Sequence, residues 1–125
     1  MNIYIASKTK HADRWRTLRK ALKSDGINII STWIDEAGEG ESADLTDLAI
    51  RCIQEASCAD RLILYSEEGE ILKGALIECG AALAFNKQVF AIGPCVGVHS
   101  AFRSHPMWRD CDDVALAICL PDEYL

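Results

Sequence analysis

The chain lacks the features that would tie it to a membrane, a nucleic acid polymer or a zinc ion. It has no apolar run approaching the ~18 residues that a spanning helix needs, so no membrane is expected. It has no basic excess: 13 Lys and Arg face 19 acids, for a net charge of −6. A polymer such as DNA therefore finds no basic face, although a mononucleotide needs only one or two local donors. None of the cysteines Cys52, Cys58, Cys79, Cys95, Cys111 and Cys119 belongs to a C-x-x-C pair. Taken with His99 and His105, Cys95 and Cys111 lack the paired grouping of zinc sites, so no metal is expected. The cysteines read instead as small core residues in a reducing compartment. The opening MNIYIASKTK lacks the basic-then-apolar order of a signal peptide, and the expected location is the cytoplasm. No repeat, low-complexity tract or linker interrupts residues 1–125, which suit a single domain with one core.

What is present alternates between two kinds of segment. Asn2 to Ser7 is short, apolar and β-branched, and reads as a buried strand. Lys8 to Ser24 carries Ala12, Trp15, Leu18 and Leu22 at helical spacing, and Gly26 stops it. Its basic residues read as a solvated face. Ile27 to Trp33 is the second expected strand. Asp44 to Ser57 is a helix by the period of Leu48, Ile50 or Arg51, and Ile53. Arg61 to Tyr65 and Gln88 to Ile92 are strands three and four, with a helix at Lys73 to Asn86 between them. Cys95 to Trp108 reads as irregular. Asp112 is the candidate cap of a last helix through Ala117, with VALAIC as a fifth strand the alternative. This order predicts an α/β fold: a doubly wound, mainly parallel sheet of four to five strands, Rossmann- or flavodoxin-like, with helices on both faces. Ligands of such sheets sit beyond the carboxyl ends of the strands. Helix three begins at that rim.

The segment KGALIECGAALAFNK, from Lys73 to Lys87, places one acid, Glu78, among glycines and alanines. Burying an unpaired carboxylate costs several kcal/mol, and small neighbours let another molecule approach it closely. Glu78 is therefore the candidate catalytic residue. The structural alternative is a glutamate paired with a local arginine or lysine.

These residues resemble the nucleoside 2-deoxyribosyltransferase superfamily, in which a G-x-x-x-E-x-G-x-A stretch, then a lysine and an apolar strand, carries a nucleophilic glutamate. Gly74, Glu78, Gly80 and Ala82 match that stretch. IYIAS is similar to the family's first strand, and ADRLILYSE to the strand before its catalytic loop. The resemblance implies cleavage or exchange of the N-glycosidic bond of a nucleoside or nucleotide, without a cofactor, by a homo-oligomer. Two positions depart from the family. Cys52 and Leu72 stand where it carries polar or acidic partners, and Glu70 or Asp47 is the candidate for a displaced acid. The phosphate-binding serine of the family's monophosphate hydrolases has no counterpart. The departures favour a second reading, a nucleotide-binding module without turnover. A TIR-like, NAD-cleaving domain, which shares the element order, the tryptophan after strand two and a helix-borne glutamate, is a further variant.

The remaining candidates surround the same rim. Tyr4 and Trp33 are candidates for stacking on a base or bounding the sugar, or else for core packing. Ser7 and Lys8 lie where free amides favour anionic or sugar oxygens, and Ser7 equally suits a helix cap. Asp35, Glu36, Glu39 and Glu41, punctuated by Gly38 and Gly40, form either a solvated acidic loop or a lid. Asp60 reads as a structural acid near Arg61, and Phe102, Met107 and Trp108 as a subunit contact.

Overall fold

The computed structural model describes residues 1–37 and 44–121. Its strands are β1 (Asn2–Ala6), β2 (Asn28–Ile29), β3 (Arg61–Tyr65), β4 (Gln88–Ile92) and β5 (Trp108–Cys111). They form one parallel sheet in the order β2-β1-β3-β4-β5. The helices are α1 (Ala12–Leu22), α2 (Leu45–Cys58), α3 (Gly74–Ala84), α4 (Ser100–Arg103) and α5 (Val114–Cys119). No helix among the described residues is long and apolar enough to cross a membrane.

The expected doubly wound α/β architecture is the observed one. β3 and β4 are buried throughout, as continuous apolar strands inside a parallel sheet must be. Alternate side chains point to opposite faces. Tyr4, in register with Leu62, meets α3, and α2 packs on α3. On the other face Arg61 donates to the Ala117 carbonyl of α5 (2.7 Å), and Tyr65 meets Trp15 of α1 edge-on.

Gly26, in the left-handed region at φ 73°, closes the turn after α1 as its position implied. Gly93 has a stricter role. A Cβ there would lie 1.9 Å from the Ser66 carbonyl oxygen, so only glycine lets the loop after β4 close onto the loop after β3. The Cys95 amide then donates to Ser66 Oγ (2.8 Å).

Several local expectations are corrected. The second strand is only Asn28–Ile29, and residues Thr32–Asp35 form a 3-10 turn. Side-chain bonds pull this stretch off the sheet edge. The Thr32 amide and hydroxyl both donate to Glu55 (3.0 and 2.7 Å), and Arg16 donates to the Ile34 carbonyl (2.5 Å). The tail read as irregular contains α4 and leads into β5, an edge strand in which Trp108 is buried and Asp110 exposed. Its short WRDC run gives little periodic signal. VALAIC is helical because the Asp113 side chain, not Asp112, accepts the Leu116 amide (2.7 Å). Helix α2 turns Leu48, Cys52 and Ala56 inward and leaves Ile50 and Ile53 exposed. The basic face of α1 is engaged: Arg19 forks onto Asp35, and Arg14 donates to the Tyr65 hydroxyl (2.5 Å). Asp60 accepts the Asn2 amide (2.7 Å).

Candidate active site

A pocket of about 360 Å³ opens beyond the carboxyl ends of β1 and β3. The strand order reverses between these two strands, which is where open α/β sheets leave a crevice. The loop after β1 contributes Ser7, Lys8 and Thr9, and the turn after β2 contributes Trp33, Glu36 and Ala37. Leu48 and Cys52 of α2 form one wall. Leu72, Lys73, Gly74 and Ala75 lead down to Glu78. Of the residues singled out in the sequence, the fold thus brings Ser7, Lys8, Trp33, Gly74 and Glu78 together.

Glu78 lies one turn into α3 and is half-buried. Its Oε2 accepts a 2.5 Å hydrogen bond from the Tyr4 hydroxyl. Among the described residues no lysine or arginine pairs with it, so the structural alternative of a local ion pair is not what is found. Burial raises its pKa from 4.5 to about 7, the Tyr4 hydrogen bond opposes that rise, and the nearby charge of Glu55 adds to it. Close to neutral pH the carboxyl group is therefore poised between its two forms.

Tyr4 is fully buried and supports Glu78 from within the sheet, without lining the pocket. Burial and the adjacent Glu78 charge push its phenol far above the usual range, so it stays a proton donor. Cys52 lies beside both. Burial raises its thiol, a hydrogen bond with Tyr4 pulls it down, and the Glu78 charge raises it further, leaving a neutral thiol. Trp33 lines the pocket while 8% exposed, with its indole N–H committed to the Ile5 carbonyl (2.8 Å). Ser7 does not cap a helix. Its hydroxyl accepts from the Trp15 indole (2.8 Å) and donates to the Lys8 carbonyl (3.0 Å). At Gly74 an added Cβ would meet nothing within 4 Å, so close approach to the helix start is open.

Asp47 and Glu70 do not line this pocket. Asp47 pairs with Arg51 (3.1 Å), and Glu70 lies on the α1 side of the sheet against His11 (2.7 Å). Periodicity alone missed the role of Arg51. One of its guanidinium nitrogens donates to both oxygens of Glu36 (3.0 Å each) and the other to the Thr32 hydroxyl (2.7 Å). The sequence signal was a charged residue at a position where the helical period alone allowed an apolar one. Of the acidic loop, Asp35 is held by Arg19 and Glu36 by Arg51. Its lid reading falls on residues 38–43, including Glu39 and Glu41, which lie outside the described residues.

Among the described residues, His11, Glu67 and Glu70 offer ligand atoms within 4.8 Å of one another. Lys10 and Arg14 already pair with those acids, and Glu70 also accepts the Glu67 amide (2.8 Å). The donor set is therefore spent on internal bonds, which fits a structural knot better than a metal centre.

The combination is a doubly wound domain with a carboxylate at the floor of its switch-point crevice. Solved structures of similar fold include a 2-deoxyribosyltransferase from the psychrotolerant bacterium Bacillus psychrosaccharolyticus, at 16% identity and a TM-score of 0.69, covering 99% of this chain and 95% of that one. Another is the CMP N-glycosidase BcmB of Clostridium botulinum, at 15% identity and a TM-score of 0.61, covering 90% and 87%. At such identities the likeness establishes the fold. No protein-family model and no curated protein sequence matches the chain.

Proposed function

We propose that the protein cleaves or exchanges the N-glycosidic bond of a nucleoside or nucleotide, with Glu78 as nucleophile. The observation that carries this reading is a crevice carboxylate without a cationic partner among the described residues, aimed by a single phenol. Departure of a base from C1′ builds oxocarbenium character on the sugar. A carboxylate beneath the ring stabilises that charge or captures it as a covalent glycosyl ester. Water attacking the ester gives hydrolysis, and a second base gives transfer. Tyr4 holds the attacking oxygen in place and favours its ionised form. Lys8 and Lys73 suit a sugar phosphate at the same pocket. The activities named for the two structural neighbours, deoxyribosyl transfer and CMP N-glycoside cleavage, support the reading. It includes no cofactor or metal, a cytoplasmic location, and a homo-oligomer to which Phe102, 60% exposed, offers an apolar contact.

The test is incubation of the protein with nucleosides, nucleotides and NAD, followed by chromatography of the free base. Base release that disappears in a folded Glu78→Gln variant is the expected result. Full turnover by that variant would overturn the mechanism. One observation favours the binding-module reading: Leu72, 3% exposed, and Cys52 make part of the pocket wall non-acidic. Saturable nucleotide binding without base release from any compound would establish that reading instead.

A further inference from the structure

Resting on the assignment of Glu78 as nucleophile, we infer that the preferred substrate is an N-glycoside whose leaving base is already cationic, a pyridinium or N7-alkylpurinium nucleoside or nucleotide. A neutral base that departs with the bonding electron pair becomes an anion unless an acid protonates it. Among the described residues the pocket is lined by two carboxyl groups, Glu78 and Glu36, and by Lys8 and Lys73, whose ammonium groups are assigned above to a sugar phosphate. The first carboxyl is the attacking group. The second is clamped by Arg51 through both oxygens (3.0 Å each), so both are committed to the guanidinium. Leu72 and Cys52, which complete the wall near Glu78, supply no carboxyl group. Tyr4 has its proton committed to Glu78 and lies behind it.

A cationic ring removes the need for that proton. It also supplies what Glu78 lacks. No lysine or arginine pairs with Glu78 among the described residues, and the charge of Glu55 acts on it as well. A heteroaromatic cation would bring the missing positive charge to the desolvated carboxylate, and Trp33 on the same pocket offers an indole for cation–π contact. A neutral base brings neither.

The step balances without a co-reactant other than water. A Glu78 carboxylate oxygen forms a bond to C1′ as the C1′–N bond breaks. The electron pair of that bond stays on the ring nitrogen and neutralises the ring. Water then attacks C1′, the ester C–O bond returns its pair to the carboxylate, and the proton of the water passes to solvent. Each turnover therefore yields a sugar, a neutral base and one proton. Hydrolysis of a glycoside of a neutral base yields no net proton.

The decisive experiment pairs compounds that differ in ring charge: 7-methylguanosine with guanosine, and nicotinamide mononucleotide with CMP, in ribo and deoxyribo forms. Base release is followed with spontaneous hydrolysis and the Glu78→Gln background subtracted, and proton release in weak buffer. Cationic members should react roughly 10²- to 10⁴-fold faster, the contribution that a general acid ordinarily makes, with one proton released per base. Equal or faster release from the neutral members overturns this inference and leaves the nucleophile assignment standing. No Glu78-dependent release from any compound overturns both. A Leu72→Asp variant places an acid in the wall. It should raise the rate on guanosine relative to that on 7-methylguanosine at least tenfold. Equal acceleration of both would show that proton supply does not separate them, and would also overturn the inference.

Discussion

Two glutamates on opposite faces of one sheet show how surroundings divide structural acids from chemical ones. Glu70 is 7% exposed, yet it is met by His11 (2.7 Å), Lys10 (3.2 Å) and the Glu67 amide (2.8 Å). Burial pushes its pKa up, but the Glu67 amide, His11 and Lys10 more than cancel the effect and hold it below 4.5. Glu78, on the α2–α3 face, is met by one phenol, and burial carries it up to about 7. Desolvation acts on both. The number of donors decides its outcome. An acid with its hydrogen bonds satisfied stabilises the fold, whereas one left with open valence in a crevice is available to a ligand.

The largest expected effect separates the two in activity. Glu78→Gln should lower base release by about a thousand-fold or more, as loss of a nucleophile does, while circular dichroism shows an unchanged fold. Glu70→Gln should leave the rate within a few-fold. Equal losses in the two variants would dissolve the contrast.

Stability should show the reverse pattern. The folded chain binds a proton at Glu78 more tightly than the unfolded chain does, so stability falls as pH rises from 4.5 to about 7 and then levels off. The loss is on the order of 3–4 kcal/mol at about 1.4 kcal/mol per pH unit. Glu78→Gln should therefore be more stable than the parent at pH 8, and the gap should close near pH 4, as read by urea unfolding. For Glu70 the sign is opposite. Its lowered pKa stabilises the fold above 4.5, and that contribution is lost as pH falls through the folded value. At pH 7, Glu70→Gln should cost about 2 kcal/mol, typical of hydrogen bonds to a charged group.

The smallest effect sharpens the role of Tyr4. In Tyr4→Phe the carboxylate loses the one donor that favours its charged form. The pH at which kcat/KM reaches half its plateau should move above about 7, with a loss of about fivefold at pH 7 for a rise of one pKa unit. A uniform drop with an unmoved midpoint would make Tyr4 a packing residue only.

Much of this was legible in the chain. β3 and β4 follow their apolar runs, Leu62 to Tyr65 and Val89 to Ile92, because strands covered on both faces are built mainly of apolar side chains; each starts one residue earlier, on the buried polar residues Arg61 and Gln88. Glu78 stood out because its neighbours offer no side-chain donors. The second strand, the tail and Arg51 were harder to read. The Thr32–Asp35 turn depends on Glu55 and Arg16, which are distant in sequence, and β5 is an edge strand with one buried anchor, Trp108. Asp47, in the second helix, and Glu70, in the loop after the third strand, were candidates for an acid displaced from the positions of Cys52 and Leu72. Only their bonds to Arg51 and His11 show where their charge is used.

The order of short apolar runs and helical periods by itself determined the α/β class, the parallel crossovers and the conspicuous acid, because periodicity and local burial are written in neighbouring residues. Tertiary structure alone decided that Tyr4 would reach Glu78 across 74 positions of chain, that Leu72 and Cys52 would share its pocket, and that Glu70 would be neutralised elsewhere. The reason is that a carboxylate's ionisation depends on the dielectric and the donors within a few ångströms. Those donors come from elements that meet only when the sheet assembles.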